Sequence, residues 1–187
     1  MASKYLHRFM GSRELLHGKP RWCLWLVDVD PADVRKSALL TERIEATRQW
    51  RIQSKAKQAQ EAAATPHLFW WRSHPGVDYL CIPSVVSEKR RYFTAARNDA
   101  ETISSNLVFT VPDESGLMFS LVSSSMFVTW QKTVGGRLES RLRFSGTLVW
   151  NNFPVPELSD KQREAIIKAG KKVLKARELH SERSLAC

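Results

Sequence analysis

Cysteine and long apolar runs are scarce in this sequence. Its 187 residues include three cysteines, Cys23, Cys81 and Cys187, and no CxxC pair, so the sequence indicates neither a zinc site nor a disulfide framework. We expect reduced thiols, two of them buried and one at the tail. No apolar run approaches the roughly 18 to 20 residues that span a bilayer, and the N-terminus lacks the apolar stretch of a signal peptide. The chain is therefore expected to be cytoplasmic, without a membrane partner.

Signature motifs of catalysis are also missing. The chain contains no GxGxxG, GxxxxGK[ST], GxSxG or HExxH segment, and its five histidines are not spaced as metal ligands. The sequence predicts no catalytic residue, no cofactor site and no metal site in these residues. Asp28 and Asp30 are the one candidate centre for an enzyme, but Pro31 follows them, which favours a turn and a helix N-cap.

Positive charge, in contrast, is abundant. Twenty-nine Lys and Arg residues against 19 Asp and Glu residues give a formal charge of +10, and the pI is near 9.9. This excess favours a polyanionic partner, because neutralising phosphates releases condensed counterions. Nucleic acid is the leading candidate, and a soluble protein that is merely basic is the alternative.

The pattern of apolar residues predicts an α+β fold, with a mixed β-sheet flanked by helices and a C-terminal helical extension. Apolar residues make up 43% of the chain, which includes seven Trp, and this is enough for a sizeable core. Short apolar runs predict strands at 22–27, 68–71, 79–82, 91–94, 107–111 and 137–144. Caps and helical spacing predict helices at 31–37, 39–64, 117–134 and 160–178. The composition changes near residue 157, which predicts a domain over 1–157 and a helical region over 158–187.

The segment 137–144 alternates charged or polar side chains with apolar ones. In one continuous strand, this alternation places Arg137, Glu139, Arg141 and Arg143 on the same face. Arginine can donate two hydrogen bonds to guanine and a carboxylate can accept one from cytosine, so the row predicts base reading in a DNA groove. A solvated face with ion pairs of little energetic value is an equally good interpretation.

Other basic and aromatic residues are candidates for further contacts with nucleic acid. The candidates for phosphate contacts are Lys89, Arg90, Arg91, Lys171 and Lys172. An ordinary charged hairpin is the alternative for the first three. Trp70 and Trp71 are adjacent and face opposite ways in a strand, so stacking on a base is one possible role, although core packing is the better interpretation for at least one of them.

Several ordered blocks of the sequence stand out together. They are GSRE at 11–14, PRWCLWL at 20–26, RRY at 90–92, SN at 105–106, SSSM at 123–126, GRLES at 136–140, RFS at 143–145 and NFPVP at 152–156. In this order they resemble the MmeI-like (type IIL) restriction and modification enzymes. The similar part runs from about Tyr5 to Leu185 and corresponds to the target-recognition domain and the start of the C-terminal helical region of those large polypeptides.

The resemblance implies a sequence-specific DNA-recognition module of an adenine-specific, S-adenosylmethionine-dependent DNA methyltransferase and restriction enzyme. It implies a fragment that binds double-stranded DNA, whereas catalysis and S-adenosylmethionine belong to a methyltransferase domain of the same or a companion polypeptide. By itself the chain is not expected to methylate DNA. The alternative is a protein-interaction module that docks on a separate methyltransferase subunit through exposed aromatic residues and a polar helix.

The resemblance also implies which side chains choose the bases. In the family, two side chains placed two residues apart after the Gly-Arg-Leu block are associated with base choice, and here these are Glu139 and Arg141. Arg143 and Leu107 fall at further positions that look like specificity positions. Leu107 offers only apolar contact, for instance to a thymine methyl group.

Overall fold

The computed structural model describes residues 2–185 and confirms the α+β class. Its contacts divide the chain into two compact units: the segment up to Arg8 together with Trp22–Arg72, and Phe9–Arg21 together with the segment from Ser73 on. Strands form three small sheets of three strands each, and one of these sheets is mixed. No helix within 2–185 is both long and apolar enough to cross a membrane.

Short groups of strands and helices follow one another along the described chain. The strands are β1 (Leu6–Met10), β2 (Trp22–Leu24), β3 (Tyr79–Pro83), β4 (Val85–Val86), β5 (Ala96–Asn98), β6 (Ile103–Ser104), β7 (Val108–Pro112), β8 (Arg137–Leu138) and β9 (Arg141–Arg143). The helices are α1 (Ser12–His17), α2 (Pro31–Lys36), α3 (Ala38–Ile52), α4 (Lys57–Glu61), α5 (Leu117–Val122), α6 (Ser125–Val134) and α7 (Asp160–Glu178). A π-helical turn covers Gly146–Trp150.

The first unit packs its helices on a small core in which Leu40 is fully buried. Asp30 caps α2 as predicted, because its Oδ1 accepts a hydrogen bond from the Ala32 amide at 2.8 Å. Tyr5 ties the N-terminal segment to this helix, since its hydroxyl donates to Asp33 Oδ2 at 2.9 Å and accepts from the Asp30 amide at 3.0 Å. Among residues 2–185, no group of three or more His, Cys, Asp or Glu is placed to hold a metal ion.

The single helix predicted over 39–64 is interrupted, so that prediction is wrong in extent. Helix α3 ends at Ile52, and α4 and a 3₁₀ turn over Ala62–Ala64 follow it. The Arg51 guanidinium holds the returning chain, donating at 2.7 to 3.0 Å to the carbonyl oxygens of Ala62, Thr65 and Leu68. Burial lowers the pKa of Arg51. Helical spacing does not reveal these contacts, because they join Arg51 to residues 11 to 17 positions further along the chain.

The strands predicted at 68–71 and 91–94 are absent from the described chain, where both segments are irregular. Trp70 and Trp71 are 55% and 57% exposed, so the prediction that at least one packs in the core is wrong. The strand predicted at 22–27 shortens to β2, and Trp22 is exposed rather than buried on both faces. In these segments, the aromatic content predicts more strand than the backbone forms.

The second unit is organised around β3, which pairs antiparallel with β5 on one side and β7 on the other. Both faces of β3 are buried: Leu80 and Ile82 enter the larger core, and Tyr79 and Cys81 enter a smaller one. Burial raises the pKa of the Cys81 thiol to about 12. Cys23 is half-buried rather than buried, and Cys187 lies outside the described residues.

The helix predicted over 117–134 is two helices, α5 and α6. The serine cluster separates them, because Ser124 caps α6 by accepting a hydrogen bond from the Phe127 amide at 3.1 Å. Serine hydroxyls compete with the helical backbone in this way and favour caps over helix interiors. The break turns α6 so that Phe127 and Val128 enter the larger core.

Helix α7 begins after Ser159 as predicted, with a capping box in which Ser159 and Gln162 bond reciprocally. It packs closely on α5 through Gly170, where an added Cβ would lie 2.0 Å from Ser120 Oγ. Arg177 anchors its far end, since Nη1 donates to the Ala95 carbonyl at 2.6 Å and the guanidinium lies 5.2 Å from the Phe119 ring centroid.

Replacing Gly170 by alanine is expected to destabilise the chain, although the same change in an exposed helix stabilises by about 1 kcal/mol. The added methyl group has no room beside Ser120, so we expect the free energy of unfolding to fall by about 1 to 3 kcal/mol. Urea denaturation measures this change. Ala169→Ser adds one heavy atom at the exposed neighbouring position and is the control, and a more stable Gly170→Ala variant would contradict the prediction.

Candidate nucleic-acid interface

The segment 137–144 is a tight hairpin rather than one continuous strand. Strands β8 and β9 pair antiparallel, with Leu138 opposite Arg141 and Arg137 opposite Leu142. Glu139 and Ser140 form the turn, and Glu139 has a φ of 57°, in the left-handed region. The predicted row of four side chains on one strand face is therefore wrong. Sequence alone does not indicate this turn, because two-residue hairpins usually place Gly or Asn at positive φ.

The hairpin still brings Glu139 and Arg141 together. The Arg141 Nη2 atom donates to Glu139 Oε2 at 2.9 Å, and the two side chains are 48% and 77% exposed. An acceptor and a donor thus lie side by side at the tip of the hairpin. Such an exposed ion pair adds little stability and is readily rearranged by a ligand.

Arg143 lies beside Arg141 on the outer face of β9. The residue between them, Leu142, is fully buried, so the two arginines project away from the core. Arg143 is opposite Val85 of β4, which places it at the centre of the small sheet β4-β9-β8. The structure therefore keeps two of the predicted arginines together.

Arg137 does not share this face. It is opposite the buried Leu142, and directly opposed side chains project to the same side of a sheet. Its Nη1 atom lies 3.6 Å from Glu88 Oε2 and donates to the Ser140 carbonyl at 3.3 Å. These contacts hold the Arg137 side chain on the opposite side of the hairpin from Arg141 and Arg143.

The backbone of Arg143 is fixed on both sides. Its amide donates to the Gly136 carbonyl at 2.9 Å, and its carbonyl accepts from Gln131 Nε2 at 3.0 Å. The next residue, Phe144, is buried against the rings of Phe93, Phe109 and Phe127. Sequence analysis missed Gln131, since a glutamine in an amphipathic helix is normally assigned to the exposed face.

Leu107 lies immediately before β7 and is 62% exposed. Its carbonyl accepts from Ser12 Oγ at 3.1 Å, and its amide donates to Ser105 Oγ at 3.2 Å. Phe109, two residues further on, packs on Phe144 with ring centroids 4.9 Å apart. This contact packs β7 against Phe144, the residue that follows Arg143.

The candidates for phosphate contacts lie on two segments of the second unit. Lys89 and Arg91 are exposed and Arg90 is half-buried in the irregular segment after β4, whereas Lys171 and Lys172 are exposed on α7. Burial, and secondly the positive charge of Arg90, lower the pKa of Arg177 on α7. Arg90 therefore lies close enough to Arg177 for their charges to interact.

Comparison with known proteins identifies relatives for almost the whole chain. The family model for the MmeI target recognition domain matches residues 1–157. DNA methyltransferase A of Bacillus subtilis (strain 168) is 35% identical over 175 residues, which are 93% of this chain and 20% of that protein. A solved structure of the type IIL restriction-modification enzyme MmeI in complex with DNA matches 99% of this chain and 25% of its own, with 40% identity and a TM-score of 0.91.

The chain thus spans between a fifth and a quarter of the length of these two relatives. At this identity and TM-score, the two chains share the fold and the order of their elements. The resemblance that the ordered sequence blocks predict is confirmed by both comparisons and by the family model. This chain belongs to the MmeI target recognition domain family.

Proposed function

We propose that this chain is the sequence-specific DNA-recognition module of an adenine-specific DNA methyltransferase and restriction enzyme. The observation that carries the proposal is the hairpin tip, where Glu139 and Arg141 present an acceptor and a donor 2.9 Å apart on a chain of charge +10. A two-stranded ribbon fits the major groove of B-DNA. The relatives, a DNA methyltransferase and a restriction-modification enzyme bound to DNA, support the same function.

In this proposal the outer face of the hairpin reads bases. Arg141 donates to the acceptors of a guanine while Glu139 accepts from the amino group of the paired cytosine, so the two share one base pair. Arg143, on the same face, reads a neighbouring position, and Leu107 offers apolar contact beside it. Arg137 lies on the opposite side of the hairpin and is assigned a supporting contact with the duplex.

Phosphate contacts supply most of the affinity in this proposal. Lys89, Arg90 and Arg91 grip the backbone from the segment after β4, and Lys171 and Lys172 do so from α7. Each neutralised phosphate releases counterions, so binding is expected to weaken steeply as salt rises.

The methyl transfer itself is assigned to the parent enzyme. Residues 1–157 form the recognition domain in this proposal, and 158–187 begin the C-terminal helical region. S-adenosylmethionine and the catalytic residues belong to the methyltransferase domain of the same or a companion polypeptide. That domain and double-stranded DNA are the two partners.

Selection from a randomised duplex pool at two salt concentrations tests the proposal. We expect enrichment of a short motif and a steep fall in affinity at the higher salt concentration. The Glu139→Ala, Arg141→Ala double variant is the control, because both side chains are exposed and their loss leaves the core intact. Salt-sensitive binding without enrichment would contradict base reading by this chain.

Docking on a separate methyltransferase subunit is a second candidate function. Four exposed tryptophans of the first unit favour it: Trp22, Trp50, Trp70 and Trp71 are 54%, 69%, 55% and 57% exposed. Co-purification with such a subunit in high salt and without DNA would support this function. If the chain binds no DNA at both salt concentrations, docking is favoured over DNA recognition.

A further inference from the structure

Gln131 is a polar side chain in the middle of an aromatic core. It lies near the end of α6 and is fully buried. Its Nε2 atom donates to the Arg143 carbonyl at 3.0 Å, whereas its Oε1 atom has no hydrogen-bond partner among residues 2–185. Burying an amide oxygen without a partner is unfavourable, and an apolar side chain of similar volume avoids that penalty. A glutamine here is therefore not explained by packing alone.

The chain also keeps space for this side chain. A Cβ atom at Gly135 would lie 1.9 Å from Gln131 Nε2 and 2.5 Å from the Gln131 carbonyl oxygen. The φ of Gly135 is −77°, which any L-residue adopts, so backbone conformation does not require glycine. Glycine leaves room both for the Gln131 amide to reach Arg143 and for the Gln131 carbonyl at the end of α6.

The bond matters because the strand that it holds is short. Strand β9 has three residues, and its partners β4 and β8 have two each, so few backbone hydrogen bonds fix its position. Gln131 adds one bond at Arg143, the end of β9 next to the core. With the Arg143 amide held by Gly136, both backbone polar groups of Arg143 are fixed while its side chain stays exposed.

We propose that Gln131 is a positioning residue for DNA specificity: its amide fixes the Arg143 backbone, and so sets the direction in which the Arg143 guanidinium approaches a base pair. This rests on the proposed function. A bidentate contact with a base requires a narrow range of directions, so a small displacement of the backbone weakens discrimination at that base pair before it weakens phosphate contacts.

Two substitutions break the contact from opposite sides, and a third is their matched control. Gln131→Leu removes the donor. Gly135→Ala keeps the donor but displaces the amide, and it also crowds the Gln131 carbonyl at the end of α6. Gly136→Ala makes the same change at the adjacent residue, where an added Cβ meets nothing within 4 Å. If Gln131→Leu fails to fold, Gly135→Ala carries the test. Melting temperature is measured for each variant.

The first readout is selection from a randomised duplex pool, with Arg143→Ala defining the base pair concerned. We expect Gln131→Leu and Gly135→Ala to lose about fivefold to tenfold in discrimination at that base pair, with the rest of the motif and the salt dependence retained. Gly136→Ala is expected to select as the wild type does. An equal loss at all base pairs would reduce Gln131 to a structural role and overturn the inference.

The second readout needs no DNA. Exchange of the Arg143 and Phe144 amide hydrogens is expected to be about tenfold faster in Gln131→Leu and Gly135→Ala and unchanged in Gly136→Ala. Unchanged exchange in all three variants would overturn the inference even if the wild type reads DNA. If the wild type enriches no motif but exchange responds as expected, the proposed function fails while Gln131 still fixes β9.

Discussion

Replacing Arg141 by alanine is expected to abolish preference at one base pair and leave the rest of the recognition motif intact. The side chain is 48% exposed and pairs with Glu139 at the turn, so the substitution leaves the core untouched. Loss of a bidentate contact to guanine reduces discrimination by about 1 to 3 kcal/mol. Competition binding with duplexes that differ at single base pairs measures the change.

Lys171→Ala is the matched comparison, since it removes one exposed positive charge from α7 rather than from the hairpin. We expect it to weaken binding to all sequences alike and to reduce the salt slope by about 1. Uniform weakening by both variants would remove the base-reading assignment from Arg141. Glu139→Ala, which leaves Arg141 without its partner, is expected to affect the same base pair as Arg141→Ala.

Replacing Phe127 by alanine is expected to have the largest effect on stability. The ring is fully buried and lies 5.2 to 6.3 Å, between centroids, from the rings of Phe93, Phe144, Trp150 and Phe153. Truncation leaves a cavity among aromatic side chains and lowers the free energy of unfolding by about 3 to 5 kcal/mol. In a chain of this size, that corresponds to a fall of about 10 °C or more in melting temperature.

The neighbouring Met126 is the control for this prediction, because it is 54% exposed and its truncation is expected to change stability by about 0.5 kcal/mol or less. Thermal unfolding of the two variants is compared with that of the wild type. Similar melting temperatures for both would contradict the assignment of Phe127 to the centre of the core. Since Phe144 packs on the same ring, we also expect DNA binding by Phe127→Ala to weaken.

The elements that sequence predicts well are those defined by local chemistry. The caps of α2 and α7 follow from Asp30 before Pro31 and from Ser159, and each is satisfied within a few residues of the chain. Strands β3 and β7 are predicted by continuous apolar runs, and β3 is covered on both faces as such a run suggests. None of these features needs information from distant parts of the chain.

The errors arise where distant residues decide the structure. The break after α3 depends on Arg51, which binds carbonyl groups up to 17 residues away. Charged and apolar residues alternate in the sequence both before and after the two-residue turn at Glu139. The sequence pattern of this hairpin is therefore the same as that of one continuous strand. Gln131 is buried because Arg143 supplies a carbonyl from another element.

The candidate site was accessible to sequence reasoning chiefly through the family resemblance. It singled out Glu139 and Arg141, which the structure joins in one ion pair. Alternation alone added Arg137, which the hairpin turns to the opposite side through its pairing with Leu142. The charge pattern and the resemblance thus select the same segment, and the turn decides which of its members face the same way.

The left-handed backbone at Glu139 affects how readily this turn accepts substitutions. An ordinary L-residue at positive φ is less stable than glycine or asparagine by about 1 kcal/mol. A turn optimised for folding alone would carry one of those residues, whereas this one retains a carboxylate at some loss of stability. Replacing Glu139 by glycine or asparagine is therefore expected to relieve strain. Under the proposed function, the same change alters target preference without putting the fold at risk.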